Sequence, residues 1–118
     1  MTSQEPLQEL REELRKFAAD RNWAQFHSPK NLAMALCVEA GELLERFQWK
    51  SENDSASLNA EELARVRQEA ADVLLYLIRL ADQLNIDLTE AAREKLAVNA
   101  AKYPVDKSFG SSKKYTDF

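Results

Sequence analysis

Apolar positions recur every three or four residues along most of the chain, which predicts long amphipathic helices. The first helix is expected over about residues 4–21. The second is expected from Ser28 to about Trp49, because serine is a good N-cap and Pro29 suits the first helical position. The chain contains only 2 glycines and 3 prolines, so an all-α fold is favoured over a turn-rich β fold.

The second half of the chain predicts two more helices. Asn59 and Glu62 have the spacing of a capping box and begin a third helix that we expect to reach about Leu84. A fourth helix follows from Asp87 and ends before Pro104, because proline disfavours helical geometry in the residue that precedes it. The polar connection over residues 50–60 is expected to be a loop.

The third helix is apolar on nearly all sides between Ala70 and Ala81, including Leu75 and Leu80. Such a helix must be covered on two faces, which one chain of 118 residues can hardly achieve. We therefore expect a four-helix bundle that is completed by oligomerisation, as a homodimer or homotetramer. Residues 1–118 are expected to form a single domain, with a tail from about residue 104.

Two pairs of acidic residues carry the strongest chemical signal. Glu39 and Glu42 lie one turn apart on the second helix, near the edge of its apolar arc, and Glu69 and Asp72 have the same spacing on the third. Packing of these two helices would bring four carboxylates together, and their repulsion would raise their pKa values. A hard divalent cation relieves that repulsion, so the pattern predicts a site for Mg²⁺, with Mn²⁺ as an alternative.

Two residues near the acids affect this hypothesis. Gly41 lies inside the second helix, where glycine costs about 1 kcal/mol relative to alanine and indicates close approach by another group. Glu45 lies three residues after Glu42 and extends the row of acidic residues on the second helix. Three roles are open for it: a solvated residue, a ligand to a second ion or a general base. A di-iron bundle is disfavoured, because no Glu-x-x-His motif occurs.

The loop between the first two helices contains Trp23, Phe26 and His27, the only histidine. These rings either fill the gap between helices or form a surface on which a nucleobase stacks. Asn99 recurs on the apolar stripe of the fourth helix and is predicted to point inward, as a core residue or a substrate contact. The tail that contains Lys113 and Lys114 is either disordered or folded over a phosphate site.

The composition of the chain limits the kinds of partner that we expect it to bind. The net charge of −4 provides no basic field for nucleic acid. The longest apolar run, residues 73–78, is far below the roughly 20 residues that span a bilayer, so no membrane partner is expected. Cys37 is the single cysteine, which excludes an intrachain disulfide and fits a reducing cytoplasm.

These segments resemble the MazG-like nucleoside triphosphate pyrophosphohydrolases, and within them the small dCTP pyrophosphatase branch. The resemblance rests on three stretches: WAQFHSPKNLAMALCVEAGELLERFQW, QEAADVLLYLIRLA and SSKKYTDF. It implies an all-α dimer of dimers that uses Mg²⁺ to hydrolyse nucleoside triphosphates to monophosphate and pyrophosphate. One departure is Leu14, where the similar enzymes place a histidine near the nucleotide, which argues against transferring a strict dCTP preference.

The resemblance also implies roles for individual residues. The residues that match metal-binding acids are Glu39, Glu42, Glu69 and Asp72. The residues that match the surroundings of the base and sugar are Trp23, Phe26, His27, Trp49 and Tyr76. The residues that match a segment near the phosphates are Asn99, Lys102 and Tyr103. Glu42 and Glu45 are the candidate catalytic bases.

The predicted function is therefore hydrolysis of a nucleoside triphosphate, with dCTP or a related pyrimidine nucleotide as substrate. Two alternatives remain open from the residues alone. The first is a pyrophosphohydrolase that acts on another nucleotide, such as dUTP. The second is a non-catalytic helical interaction module in which the acids are solvated or paired with basic residues.

Overall fold

The structure is a computed structural model that describes residues 5–118, so the predicted helix start at Gln4 lies outside the described residues. Within this range the chain forms helices joined by turns and contains no strand, which confirms the predicted all-α class. The α-helices are α1 Pro6–Asp20, α2 Pro29–Glu45, α3 Glu52–Ser55, α4 Ala60–Gln83, α5 Leu88–Lys102 and α6 Val105–Ser108. Short 3₁₀ helices lie at Ala24–Phe26 and Tyr115–Asp117.

The chain divides into two compact units, one up to Ile86 and one from Asp87 to Phe118. In the first unit, α1 and α2 both pack against α4. Its buried apolar side chains come from all three helices and include Ala18, Leu32 and Ile78. This packing fixes α2 and α4, the two helices that carry the acidic pairs, beside one another. The prediction of one domain with a tail stays a prediction.

The helix starts follow the capping residues in the sequence. The Ser28 hydroxyl accepts a hydrogen bond from the backbone N–H of Asn31 at 3.1 Å, and Pro29 occupies the first turn of α2. At α4, the side chain of Asn59 accepts from the backbone N–H of Glu62, whose carboxylate accepts from the backbone of Asn59. The predicted capping box at α4 is therefore confirmed.

Two boundaries differ from the prediction. The helix α2 ends at Glu45, and the chain continues to Trp49 as turns instead of regular helix. The predicted loop over residues 50–60 contains the single-turn helix α3, because the Ser51 side chain caps the backbone N–H of Asp54 at 3.1 Å. One-turn helices in short polar connections cannot be predicted from the sequence pattern, because such segments have no apolar periodicity.

The second unit consists of α5 and a folded tail. Asp87 caps α5, and Tyr103 follows its last helical residue. The ring of Tyr103 contacts Tyr115 and Phe118 edge-on, with centroid distances of 5.8 and 5.7 Å. The tail is therefore folded against Tyr103, whereas its predicted position over a phosphate site stays a prediction. Asn99 is exposed on α5, and its predicted inward position stays a prediction.

A search of the described residues for a membrane span found no helix with the length and apolar character needed to cross a bilayer.

Candidate metal and nucleotide site

The packing of α2 against α4 brings acidic side chains of the two helices together. Glu39, Glu69 and Asp72 each offer a carboxylate oxygen, and these three atoms lie within 4.8 Å of one another. Glu39 and Glu69 are half-buried, whereas Asp72 is exposed. The equal spacing of the two acidic pairs therefore produces a convergent group of oxygen atoms at the helix interface.

Glu42 lies beside these three residues and completes what we call the acid cluster: Glu39, Glu42, Glu69 and Asp72. The pKa of Glu42 is raised above its ordinary value. The largest cause is a hydrogen bond with the carboxyl group of Glu39, followed by charge repulsion from Glu39 and a smaller contribution from burial. The charges of Glu39 and Glu69 therefore both act on Glu42.

The acid cluster has little protein counter-charge. The Nη2 of Arg46 donates to Oε1 of Glu69 at 3.3 Å. The second oxygens of Glu39 and Glu69 are buried and have no hydrogen-bond partner among the described residues. Buried carboxylate oxygens are costly to leave unpaired, and an all-oxygen donor set is the one preferred by hard divalent cations. The residues present therefore fit Mg²⁺ or Mn²⁺.

Gly41 lies between the two acids of α2, where the sequence predicted close approach by another group. A Cβ atom at this position would have no neighbour within 4 Å. The expectation is therefore not met within the described chain, whose own packing leaves room for a larger side chain at this position.

A cavity of about 210 Å³ opens next to the acid cluster, between α1, the aromatic loop and α4. We call it the aromatic cavity. Its lining residues are Leu14, Phe17, Ala18, Trp23, His27, Asp72, Leu75, Tyr76 and Arg79. It thus contains three of the residues expected around a base (Trp23, His27 and Tyr76) and shares Asp72 with the acid cluster. It also contains Leu14, the position of the departure from the similar enzymes.

Trp23 is held at this cavity by ring contacts. Its ring meets Phe17 edge-on at a centroid distance of 5.7 Å and meets His27 at 6.4 Å. Trp23 remains 43% exposed, so part of its ring is open to a ligand. It is therefore a packing residue with an accessible ring, and its role in stacking on a nucleobase stays a prediction.

Sequence reasoning missed a network of charged residues behind His27. Arg79 is 8% exposed, and its Nε donates to Nδ1 of His27 at 3.1 Å. Its Nη1 donates to Asp82 at 3.4 Å. Arg15 of α1 donates to both carboxylate oxygens of Asp82, at 2.7 and 2.5 Å. We call these four residues the Arg79 network. The only signal in the sequence was one arginine inside the apolar stretch 70–81.

The Arg79 network shifts the pKa values of its members. Burial, followed by the positive charge of Arg79, lowers the pKa of His27 below its ordinary value of 6.5. The hydrogen bond from Arg15 lowers the pKa of Asp82. The lowered pKa values favour the uncharged imidazole of His27 and the ionised carboxylate of Asp82.

A second cavity, of about 330 Å³, lies where α2 ends beside the start of α4, and we call it the outer cavity. It is lined by Glu45 and Trp49 together with Arg46, Lys50 and other polar residues. Trp49 is 89% exposed, and Lys50 forms an ion pair with Glu62. Glu45 and Trp49 thus line a different cavity from Trp23. Phe26 is 59% exposed and lines neither cavity.

The three residues expected near the phosphates belong to the second unit. Asn99 is exposed on α5, and the ammonium group of Lys102 lies 4.9 Å from the ring centre of Tyr115. Tyr103 contacts Tyr115 and Phe118 within the same unit. Their assignment to the phosphates stays a prediction.

Comparison with known proteins identifies the family. A model of the MazG-like family matches residues 34–118. The chain belongs to the MazG-like family. Relatives named dCTP pyrophosphatase 1 are 45% identical in Mus musculus and 42% identical in Homo sapiens, over 98% of this chain and 69% of each relative. A pyrophosphatase structure from Archaeoglobus fulgidus DSM 4304 is 38% identical, with a TM-score of 0.81 over 88% of this chain and 97% of that one.

The predicted MazG-like resemblance is thus confirmed. The region that matches the family model, residues 34–118, includes some features of the site and leaves out others. It contains the whole acid cluster, Trp49 and Arg79, whereas α1 and the aromatic loop precede it. The aromatic cavity is therefore built partly by residues before the matched region. Those residues are still covered by the similarity to the dCTP pyrophosphatase 1 relatives, which spans nearly the whole chain.

Proposed function

We propose that this MazG-like chain is a Mg²⁺-dependent nucleoside triphosphate pyrophosphohydrolase that acts on dCTP or a related pyrimidine deoxynucleotide. The observation that carries the proposal is the convergence of three carboxylate oxygens within 4.8 Å, next to an aromatic cavity. The names of the dCTP pyrophosphatase 1 relatives support both the reaction and the substrate class.

Charge explains why the acid cluster suits this reaction. A divalent cation held by Glu39, Glu69 and Asp72, with Glu42 beside them, would neutralise the triphosphate and favour attack by water at the α-phosphorus. The unpaired buried oxygens of Glu39 and Glu69 fit that role, because cation binding satisfies them.

The proton of the attacking water requires a base. Glu42 belongs to the acid cluster, whereas Glu45 lines the outer cavity. Of the two candidate bases, Glu42 is therefore the better placed to accept a proton next to the cation ligands.

The aromatic cavity supplies a surface for the base. Trp23 and Tyr76 present rings, and His27 presents a polar ring atom, within reach of Asp72. Trp49 and Phe26 are exposed in the single chain and remain proposed stacking residues. Asn99, Lys102 and Tyr103 remain proposed contacts to the phosphates.

The proposal includes self-association as a homodimer or homotetramer. Large apolar side chains of α4 stay accessible in the single chain, with Leu63, Leu74 and Leu77 exposed at 56%, 39% and 37%. A second copy that covers this face would bury them. Light scattering of wild type and Leu74→Lys tests this point: we expect the variant to have the lower mass, and a wild-type monomer at micromolar concentration would contradict the proposal.

The central test is a panel of triphosphates assayed for pyrophosphate release, with dCTP, dUTP, dTTP and inorganic triphosphate as substrates. We expect release from dCTP in Mg²⁺, and its loss in excess EDTA. Release of single phosphate groups would contradict the reaction, and a lack of release from dCTP, dUTP and dTTP alike would contradict the substrate class.

A thermal-shift titration with Mg²⁺ separates an enzyme site from a helical interaction module. Cation binding to the folded state raises the melting temperature, whereas solvated acids produce no saturable shift. Absence of both the shift and pyrophosphate release would favour the interaction module.

A further inference from the structure

His27 is the only histidine of the chain, and just one of its two ring nitrogens has a hydrogen-bond partner among the described residues. Its Nδ1 accepts the hydrogen bond from Nε of Arg79 at 3.1 Å. Its Nε2 has no hydrogen bond to the described residues and is not among the buried unpaired atoms. Because His27 lines the aromatic cavity, Nε2 is the nitrogen left to meet a ligand.

The hydrogen bond to Nδ1 determines which nitrogen carries the proton. The Nε of a guanidinium is always a donor, so Nδ1 must be the unprotonated nitrogen of a neutral imidazole. The proton of the neutral ring then lies on Nε2, which becomes a donor. An imidazolium would have donors at both nitrogens and would lose this contact with Arg79.

The position of Arg79 is itself fixed by two other residues. Asp82 lies one turn further along α4, and its side chain is 8% exposed. It accepts from Arg79 and from the two-pronged contact of Arg15 on α1. Such a paired arrangement of guanidinium and carboxylate groups fixes orientation as well as charge. The network therefore extends from α1 through α4 to His27 at the aromatic cavity.

We propose that Arg79, held by Asp82 and Arg15, is a positioning residue that keeps His27 as a neutral donor from Nε2 toward a carbonyl oxygen of the pyrimidine base. The proposal rests on the proposed function for the identity of the ligand. The cavity lining favours the base over the phosphates, because Phe17, Trp23 and Tyr76 form aromatic walls around the donor. A fixed N–H donor at this position favours a carbonyl oxygen, which accepts its hydrogen bond, and disfavours an amino group, which cannot.

The first test measures which ring nitrogen of His27 carries the proton, and it does not depend on enzymatic activity. With ¹⁵N-labelled histidine, the single His27 gives one pair of ring-nitrogen signals, whose shifts report the tautomer. We expect Nε2 to be protonated and Nδ1 to be unprotonated at pH 7. In Arg79→Met, we expect a mixture of tautomers. The matched control is Arg93→Met, which removes an exposed arginine of α5 and should leave both signals unchanged.

The buried position of Arg79 makes a second variant necessary. Arg15 is an exposed side chain whose hydrogen bonds go to Asp82, so Arg15→Met should keep the fold while loosening the network. We expect its signals to move in the same direction as those of Arg79→Met, by a smaller amount. A doubly protonated ring or a proton on Nδ1 in the wild type at pH 7 would overturn the proposal.

Kinetics then test the ligand. We expect Arg79→Met to raise KM for dCTP by about ten-fold, which corresponds to about 1.4 kcal/mol, with kcat changed less. His27→Phe should show the same effect, and His27→Gln, which retains a neutral N–H donor, should partly restore KM. Unchanged KM in both Arg79→Met and His27→Phe would overturn the proposal.

Inorganic triphosphate has no base, so its binding is the control for the assignment of His27 to the base. We expect wild type and His27→Phe to bind it equally, and a loss in the variant would overturn the assignment to a base carbonyl. If the ring-nitrogen signals behave as expected but dCTP is not hydrolysed, the proposed function fails while the positioning of His27 by Arg79 stands.

Discussion

The helix α4 contributes residues to two groups of charged side chains, the acid cluster and the Arg79 network. The two groups differ in how far neighbouring residues neutralise their charges. In the acid cluster, Glu69 keeps one buried oxygen without a partner, and the pKa of Glu42 is raised by its acidic neighbours. In the Arg79 network, Asp82 accepts hydrogen bonds from two arginines, and its pKa is lowered. The same chain thus leaves the charges of the acid cluster largely uncompensated, with Arg46 as their one hydrogen-bonded cation among the described residues, and compensates those of the Arg79 network.

This difference indicates what each group is for. Uncompensated buried carboxylates destabilise the folded state until a cation joins them, so their arrangement is understandable only with a ligand. Compensated charges need no ligand, and their contribution is to fix the side chains that they contact. The acid cluster is therefore expected to contribute chemistry and the Arg79 network to contribute geometry.

The largest expected effect follows from removing a carboxylate of the acid cluster. Asp72→Asn or Glu39→Gln should reduce pyrophosphate release by more than about 100-fold, because loss of residues that merely support metal ligands already costs 10–100-fold. The melting temperature without divalent cations should stay equal or rise, since repulsion is relieved. Glu94→Gln, on the exposed side of α5, is the matched control. Near-wild-type activity at saturating Mg²⁺ would contradict the site.

The Arg79 network should respond in the opposite way. Asp82→Asn removes a paired carboxylate and should destabilise the fold by about 2 kcal/mol in urea denaturation at pH 7. Asp20→Asn breaks only an exposed ion pair with Lys16 and should cost less than about 1 kcal/mol. A stability gain in Asp82→Asn would remove the contrast with the acid cluster.

The pH dependence of that difference has a definite sign. Because folding lowers the pKa of Asp82 below its ordinary value of 3.8, its stabilisation is fully present above that value. It is lost as pH falls through the lower pKa of the folded state. The stability difference between wild type and Asp82→Asn should therefore shrink in acid below about pH 4, and a difference that grows there would contradict the assignment.

The two tryptophans extend the comparison to the aromatic residues. Trp49 is 89% exposed, so Trp49→Ala should leave the melting temperature nearly unchanged. If a base stacks on this ring, KM for dCTP should rise by about ten-fold, since stacking is worth about 1–3 kcal/mol. Trp23→Ala removes ring contacts with Phe17 and His27 and should lower stability as well as raise KM. An unchanged KM in Trp49→Ala would exclude stacking on this ring.

The smallest expected effect concerns glycine. Gly41→Ala should stabilise the protein by about 1 kcal/mol, because the added Cβ meets no atom within 4 Å and alanine favours the helix. Gly110→Ala should instead destabilise it, since the backbone φ at Gly110 is +71°. Melting temperatures check both. A stable Gly41→Ala variant with lost activity would show that a ligand or second subunit approaches this position.

The features that the sequence predicted correctly depend on local periodicity. The four long helices follow from apolar spacing and caps, as the box at Asn59 illustrates. The convergence of Glu39 with Glu69 and Asp72 follows from the equal offset of two acidic pairs from apolar arcs on helices that pack together. Both inferences need only helix geometry and one packing contact.

The features that the sequence did not predict depend on contacts between distant residues. Arg15 and Asp82 are 67 positions apart, and no periodicity indicates that their side chains meet. The aromatic residues were expected around one base, yet Trp23 and Trp49 line different cavities. Their separation depends on the turns after Glu45, whose course is not encoded by a repeating pattern.

The contact between Arg15 and Asp82 also has a consequence for the order of folding. Helices α2 and α4 are joined by residues 46–59, so their packing closes a smaller loop than the contact between Arg15 and Asp82 and is expected early. The contact of α1 with α4 joins residues 67 positions apart, so forming it before α2 has packed would cost more chain entropy. We therefore expect α1 to dock after the rate-limiting step. Loss of the Arg15 contact should then speed unfolding and leave the refolding rate nearly unchanged.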